Sequence, residues 1–313
     1  MQDWQMNLTC TLGALKSSSV VSTVGEALPV YEAVIESRKY ASKTRAMRLQ
    51  ELSYLRSAFG SWKLSEVFPC HLALLTESIA DTGRRCTARH VLTVCRDFFN
   101  EALVRGWVIQ NPALHVRMPK APVERRRLDL NAWVRIHRYA QNNYPAWAAR
   151  SLELALLTGQ RRADVACMRF DDVRGDCLHV TQQKTGARIA IPLEIRISAV
   201  TLSLRDVIEG CERTSDGGPY LLQTVRGTHP GPAALSFRFA GARKAVGMTG
   251  DAASLPTLHE IRSLSERLYR AQGVDTKTLL GHSKQSMTDL YNDERRLHGG
   301  IFKRVALSPT QGD

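Results

Sequence analysis

Four segments in the second half of the sequence contain side chains that could bind an anion and transfer protons. They read TGQRRAD, QQKTG, LHEIRS and LLGHSKQSMTDLY. The residues concerned are Arg161, Lys184, His259, Arg262, His282 and Tyr291. Guanidinium groups can hold anionic oxygens through two parallel hydrogen bonds, imidazole and amine groups exchange protons, and a phenol hydroxyl can act as a nucleophile. The set therefore indicates chemistry on an anionic substrate.

Each segment alone is weak evidence. An arginine after a helix-ending glycine usually makes a surface or capping contact, and a lysine on a turn is ordinarily solvated. A lone histidine or tyrosine more often packs in a core than catalyses a reaction. His259 and Arg262 are more specific, because residues three apart on a helix project from one face.

Local signals predict the elements that carry these side chains. Thr158 and Gly159 should end one helix, and Arg161 should open the next turn. Two β-rich runs, 177–182 and 188–191, flank Lys184 and predict a hairpin with this lysine at its tip. Helical patterns begin at Asp129 or Asn131, at Ser151 and again from Leu258. The second half is thus predicted to be mostly helical with a small sheet.

The first half is predicted to be all helical, with basic outer faces. Leu49, Leu52, Leu55 and Phe59 recur at helical spacing, and a second helix should run from an N-cap at Thr87 to near Gly106. Each basic face could simply be a solvated helix surface. Two such faces in one domain are also consistent with binding to a nucleic acid. The candidate DNA contacts on these helices are Lys39, Lys43, Arg45, Arg84, Arg85 and Arg89.

Two further segments lack apolar periodicity. Residues 1–30 are rich in serine and predict a flexible or loosely packed leader. Residues 119–127, PKAPVERRR, predict a basic interdomain linker in which Arg125, Arg126 and Arg127 could follow a phosphate backbone.

Composition supports a polyanionic partner. The formal net charge is +13 and the pI is near 9.7, and residues 1–127 and 128–313 carry excesses of 7 and 6 basic side chains. The seven cysteines are odd in number and form no CxxC pair, which predicts reduced thiols. We expect a cytoplasmic protein, since the sequence contains no secretory signal and no apolar run of the roughly 20 residues that a membrane helix needs.

The four segments, in this order, resemble the catalytic domain of the tyrosine recombinases and are most similar to lambda-type phage integrases. TGQRRAD matches the first arginine box, with Asp164 at its acidic position, and QQKTGARIAIPL resembles the hairpin that delivers the catalytic lysine. LHEIRSLSERLY and LLGHSKQSMTDLYNDER resemble the second and third boxes, the latter with Tyr291 as nucleophile. The similarity covers residues 128–300 well and residues 31–118 more loosely.

The resemblance implies a mainly helical fold with a small β-sheet. It implies a helical core-binding domain over residues 31–118, a basic linker over 119–128 and a mixed catalytic domain over 129–313. The leader is short for the arm-site-binding domain of lambda-type integrases, which leaves accessory-site binding open. The implied activity is site-specific recombination for integration and excision of phage or other mobile DNA, through a covalent 3′-phosphotyrosyl intermediate.

The implied roles fit the chemistry of a phosphodiester. Arg161 and Arg262 would hold the nonbridging oxygens, His259 and His282 would assist proton transfer, and Lys184 would protonate the departing 5′ oxygen. No metal or other cofactor is required. The resemblance further implies four protomers on two duplexes at attachment core sites, with the chain after Tyr291 packing on a neighbour. Host or phage accessory proteins that bend DNA or set direction would be additional partners.

Two other functions remain open at this point. A type IB topoisomerase-like enzyme would use the same tyrosine chemistry on one DNA site, whereas a recombinase must pair two sites. A nonenzymatic DNA-binding relic of a mobile element would have no physical reason to retain all six candidate catalytic residues.

Overall fold

A computed structural model describes residues 21–121, 125–251 and 253–291. The chain divides into two compact units, Met1–Val123 and Glu124–Asp313, and the division falls inside the predicted linker. The two units have separate hydrophobic cores.

The amino-terminal unit is helical throughout its described residues. Its helices are α1 (Val24–Ser37), α2 (Ser42–Phe59), α3 (Pro69–Asp81) and α4 (Arg85–Val104), with short 3₁₀ turns at Leu64–Glu66 and Pro112–His115. The predicted apolar stripes lie inside: Leu52, Leu55 and Phe59 of α2 are buried. Val91, Cys95, Phe98 and Ala102 of α4 are buried as well. The predicted N-cap at Thr87 is wrong, because the helix begins at Arg85 and Thr87 lies inside its first turn.

The start of α1 differs from the sequence-based prediction. The sequence predicts a loose leader up to residue 30, whereas α1 begins at Val24 and buries Val24, Ala27 and Leu28. The cause is a capping box, in which Thr23 Oγ1 accepts from the Glu26 amide at 3.3 Å and Glu26 Oε2 accepts from the Thr23 amide at 3.0 Å. The rest of the predicted leader, residues 1–20, lies outside the described residues.

The carboxy-terminal unit combines helices with two small antiparallel sheets. The helices are α5 (Leu130–Asn143), α6 (Ala146–Thr158), α7 (Arg162–Ala166), α8 (Leu204–Glu212), α9 (Pro232–Ala245), α10 (Glu260–Ala271), α11 (Thr276–Leu280) and α12 (Gln285–Asp289). The strands are β1 (Val173–Arg174), β2 (Cys177–Thr181), β3 (Arg188–Pro192), β4 (Arg196–Ile197) and β5 (Leu202–Ser203). The prediction of a mainly helical fold with a small sheet is confirmed.

The predicted hairpin is present, and its register follows the burial pattern. β2 lies between β1 and β3, and the pairs Leu178↔Ile191 and Val180↔Ile189 place four buried side chains on one face. Helices α6 and α10 pack in the same core, where Leu154, Ile261 and Tyr269 are fully buried. Of the two predicted caps, Asp129 is the N-cap of α5, with Oδ1 accepting from the Ala132 amide at 2.7 Å. Helix α6 begins at Ala146, before the predicted start at Ser151.

None of the helices in the described parts of the chain is both long and apolar enough to cross a bilayer.

Candidate active site

Arg161 is positioned by the end of α6. Gly159 ends that helix in the left-handed conformation (φ +64°), and a Cβ at this position would lie 2.9 Å from Leu280 Cδ2. The chain then extends through Arg161, the N-cap of α7, whose Nη1 donates to Gln182 Oε1 at 2.6 Å. The arginine is half-buried.

Arg262 is the most deeply fixed cation of the site. It lies on α10 with 1% of its surface exposed. Nη1 donates to the Gly159 carbonyl at 2.7 Å, and Nη2 donates to the Leu280 carbonyl at 2.6 Å. Burial lowers the pKa of Arg262 to about 10, an effect that Tyr291 opposes, so the guanidinium still carries its charge at neutral pH.

The contact with Arg262 sets the tautomer of His282. Arg262 Nη2 lies 3.0 Å from His282 Nε2, and a guanidinium can only donate. Nε2 is therefore the acceptor, and the proton resides on Nδ1, which lies 2.9 Å from Thr288 Oγ1. Burial, followed by the charges of Arg262 and Arg161, lowers the pKa of His282 to about 4, which keeps the ring neutral.

Tyr291 follows α12 and lies against both histidines. Its ring stacks on that of His282 with centroids 5.4 Å apart, and the Arg262 guanidinium lies 5.5 Å from the ring centroid. Its hydroxyl lies 3.3 Å from His259 Nε2. The phenol is thus beside the two imidazoles and a buried cation.

His259 is the N-cap residue of α10, and its ring centroid lies 5.8 Å from that of Tyr291. Its side chain is exposed, but surrounding protein desolvates part of the ring. This desolvation, with the charges of Arg262 and Arg161, lowers the pKa of His259 to about 4. A neutral His259 can accept a proton from Tyr291.

The backbone on either side of the tyrosine is also held. Ser263 Oγ donates to the Tyr291 carbonyl at 2.7 Å. Arg127 Nη2 donates to the Leu290 carbonyl, and its Nη1 donates to Glu260 Oε2 at 3.0 Å. These contacts tie the tyrosine segment to the first turn of α10, which carries His259 and Arg262.

Lys184 differs from the other five residues. It is exposed on the turn between β2 and β3, and within the described residues its amine has no hydrogen-bond or ion-pair partner. The base of this turn is fixed, because Gln182 is buried and bonded to Arg161. The structure thus brings Arg161, His259, Arg262, His282 and Tyr291 together and places Lys184 on an adjoining hairpin.

Sequence reasoning did not identify Gln160 and Gln182, two buried glutamines whose amides are bonded to each other at 2.7 Å. A signal was present, because each stands within two residues of a candidate catalytic cation in its motif. A polar amide that a fold must bury next to a cation is a candidate partner for that cation. No cluster of three or more His, Cys, Asp or Glu side chains that could hold a metal occurs in the described part of the chain.

The predicted DNA contacts of the amino-terminal unit are all exposed. They are Lys39, Lys43, Arg45, Arg84, Arg85 and Arg89. Arg45 is paired with Glu36 at 2.6 Å, and Arg84 donates to the Tyr54 hydroxyl at 3.0 Å. Arg85 lines a cavity of about 380 Å³ together with Arg117 and Lys120, two cations absent from the predicted set.

The three arginines at the end of the predicted linker, 125–127, differ in burial. Arg126 is exposed and Arg125 is half-buried, whereas Arg127 is buried and paired with Glu260. Arg127 therefore lies inside the carboxy-terminal unit, because its guanidinium satisfies a buried carboxylate and a backbone carbonyl. For Arg125 and Arg126, contact with a phosphate stays a prediction.

The chain is similar to proteins of one family over most of its length. The model of the phage integrase family matches residues 126–298. The prophage integrase IntE of Escherichia coli (strain K12) is 37% identical over an alignment of 290 residues, which covers 88% of this chain and 76% of that protein.

Two solved structures of lambda integrase, both 30% identical, superpose with a TM-score of 0.84. One is a lambda integrase fragment dimer bound to a COC′ core site, aligned over 91% of this chain and 100% of that one. The other is a tetramer bound to a Holliday junction, aligned over 94% and 83%. These relatives favour a recombinase over the topoisomerase-like and nonenzymatic alternatives. The chain belongs to the phage integrase family, whose members are tyrosine-type site-specific recombinases.

Proposed function

We propose that this integrase cuts and rejoins duplex DNA at attachment core sites, with Tyr291 as the nucleophile. The observation that carries the assignment is the position of the Tyr291 hydroxyl, 3.3 Å from His259 Nε2 and beside the buried Arg262. A phenol next to a neutral imidazole and a fixed guanidinium has a proton acceptor and an anion-binding group within reach.

In the proposed cleavage step, Tyr291 Oη attacks the phosphorus and the bond to the 5′ oxygen breaks. His259 takes the tyrosine proton, and Lys184 gives a proton to the departing 5′ oxygen. The products are a 3′-phosphotyrosyl link and a free 5′ hydroxyl. A 5′ hydroxyl from a partner duplex then reverses the attack, so the energy of the broken bond is retained without ATP.

Arg161 and Arg262 would stabilise the charge on the nonbridging oxygens. Two donors of Arg262 are already bonded to backbone carbonyls, which fixes the group, whereas its buried Nε has no hydrogen-bond partner among the described residues. A buried donor without a partner carries a desolvation cost that an oxyanion would relieve. The site is thus preorganised for an anion that is bound only during the reaction.

The neutral state of His259 also fits its proposed role as the acceptor of the Tyr291 proton. Desolvation, followed by the charges of nearby guanidinium groups, lowers the pKa of His259, so the resting ring is an acceptor. A bound phosphate adds negative charge at the same place, which favours the protonated ring and raises its pKa toward the working pH. Proton transfer from Tyr291 would therefore become easier once the scissile phosphate is bound.

The partners follow from the same proposal. The lambda integrase structures, a dimer on a core site and a tetramer on a Holliday junction, support a homo-tetramer on two duplexes. We assign core-site binding to residues 31–118, the linker role to 119–128 and catalysis to 129–313. The enzyme would act in the cytoplasm, in integration and excision of phage or other mobile DNA, with accessory proteins that bend DNA or set direction.

The test is a covalent adduct on nicked duplexes that carry candidate core sites. The parent enzyme should form a protein–DNA adduct that survives denaturation. Tyr291→Phe should bind the same duplex nearly as well and form no adduct, because the substitution removes only the hydroxyl. An adduct that persists in this variant would assign the nucleophile to another residue.

A further inference from the structure

We propose that Gln182 is a positioning residue that orients Arg161 and couples this arginine to the hairpin that carries Lys184. The proposal rests on the function proposed above and assigns a role to a residue outside the six candidate catalytic positions. Its basis is a pair of buried glutamine amides at the junction of three segments of the site.

The side-chain amide of Gln182 uses its full bonding capacity. The residue directly follows β2 and is 1% exposed. Oε1 accepts from Arg161 Nη1 at 2.6 Å and from Thr185 Oγ1 at 2.7 Å. Nε2 donates to Gln160 Oε1 at 2.7 Å and to the Leu280 carbonyl at 2.9 Å. Two accepted and two donated bonds leave the amide a single orientation.

Gln160 extends the connection to the other side of the pocket. It is 2% exposed, and its Nε2 donates to the carbonyls of Thr158 at 3.0 Å and Leu279 at 2.8 Å. The turn before Arg161, the hairpin and the end of α11 therefore meet at two amides. The Leu280 carbonyl also accepts from Arg262, so one backbone oxygen is bonded directly to Arg262 and connected to Arg161 through Gln182.

The Gln182 amide packs closely against the backbone at Gly281. Gly281 has φ +61°, and a Cβ at this position would lie 2.8 Å from Gln182 Nε2. Glycine is thus needed there both for its conformation and for the close approach of the amide. His282 follows directly, so the same contact fixes the backbone that presents the second histidine.

The neutrality of the amide matters as much as its geometry. A carboxylate at position 182 would form an ion pair with Arg161 and would compete with the phosphate for the guanidinium. A glutamine gives Arg161 an acceptor at 2.6 Å without cancelling its charge. Thr185, bonded to the same Oε1, connects this acceptor to the turn that holds Lys184.

The coupling can be tested by a double-mutant cycle with single-turnover cleavage as the readout. Gln182→Met keeps the side-chain volume and removes all four hydrogen bonds. Cleavage should be measured on duplexes whose bridging 5′ oxygen is replaced by sulfur, because the easier leaving group keeps slow variants measurable and removes the need for Lys184. We expect Gln182→Met to slow cleavage by roughly 10- to 100-fold, as a misplaced catalytic group does, with DNA affinity within about twofold.

In an Arg161→Ala background, the same substitution should have less than about a threefold effect, because the group it positions is gone. An equal loss of rate in both backgrounds would show a general structural role, and an unchanged rate in both would show none; both results overturn the proposal. Gln183→Ala, which changes the exposed neighbouring glutamine, is the matched control and should cleave like the parent.

A second variant covers the case in which Gln182→Met does not fold, as judged by thermal unfolding. Gln182→Glu keeps an acceptor for Arg161 and should also slow cleavage through that arginine, so it enters the same cycle with the same expected pattern. Failure of the proposed function would appear separately, as an adduct that persists in Tyr291→Phe. A parent enzyme that forms the Tyr291 adduct while Gln182 variants behave normally would reject only the present inference.

Discussion

Two groups of cations in the carboxy-terminal unit differ in how they are held. Arg262 and Arg127 are buried and donate to backbone carbonyls, whereas Lys184 and Arg126 are exposed. A buried, fixed guanidinium can stabilise charge without reorganisation, while an exposed amine on a turn can move to a leaving group. The difference teaches that positive charge alone does not define a role, because the contacts of each cation decide what it can do.

The largest expected effects test whether Arg262 and Lys184 act at different oxygens of the phosphate, the nonbridging oxygens and the departing 5′ oxygen. Lys184→Ala should be severely slowed on ordinary DNA and largely rescued on the substrate with bridging sulfur, since a thiolate leaves with little protonation. Arg262→Ala should be slowed by at least about 10²-fold on both substrates, because sulfur does not replace a contact to the nonbridging oxygens. Cleavage rates of both variants on both substrates provide the measurement.

Equal rescue of the two variants would remove the distinction between the cations, and the absence of rescue for Lys184→Ala would remove the general-acid role. Folding serves as an internal control. Lys184→Ala should leave the thermal midpoint unchanged, since the side chain is exposed.

An intermediate effect is expected on the free energy of unfolding, through the titration of the buried His282. The pKa of His282 is lowered to about 4 in the folded protein, against an ordinary value near 6.5. The unfolded chain therefore binds more protons below pH 6.5, so stability is full above that pH and is lost as pH falls toward about 4. At about 1.4 kcal/mol for each pKa unit, the loss attributable to His282 approaches about 3 kcal/mol.

Denaturant unfolding of the parent and of His282→Gln between pH 7 and pH 4 tests this expectation. The difference in unfolding free energy between the two proteins should shrink as pH falls. A difference independent of pH would mean that His282 is protonated in the folded protein or titrates with its ordinary pKa.

The smallest expected effect separates the neighbours Arg126 and Arg127. Arg126→Ala should weaken DNA binding slightly and reduce the slope of log affinity against log salt by about 0.9 for each phosphate that the variant no longer neutralises. Its thermal midpoint should not change. Arg127→Ala should lower the midpoint, because it leaves the buried Glu260 carboxylate without its partner. An unchanged salt slope in Arg126→Ala would identify that residue as merely solvated.

Much of this arrangement could be predicted from the sequence where the signal is local. The hairpin around Lys184, the helix end at Gly159 and the cap at Asp129 each depend on a few adjacent residues, and all are present. The family resemblance also implied that five candidate catalytic residues lie together. The structure brings together Arg161, His259, Arg262, His282 and Tyr291.

The roles of Gln182 and Arg127 were missed because they depend on contacts between distant segments. Gln182 bonds to Leu280, 98 positions away, and Arg127 bonds to Glu260, 133 positions away. No periodicity or spacing in the sequence indicates such pairs. The sequence therefore offered no reason to separate the buried Arg127 from Arg125 and Arg126. The early start of α1 is a different case, since the Thr23 and Glu26 capping box was visible but lay within a serine-rich segment.

The bond from Arg127 to the Leu290 carbonyl has a consequence for protein engineering. A hybrid enzyme would join the amino-terminal unit of one parent to the carboxy-terminal unit of another, and the proline-containing segment 119–127 offers a place for the junction. A junction after residue 127 would replace the donor that holds the chain beside Tyr291 with whatever the other parent supplies. A junction at 123–124, where the two compact units divide, keeps that donor with its own tyrosine.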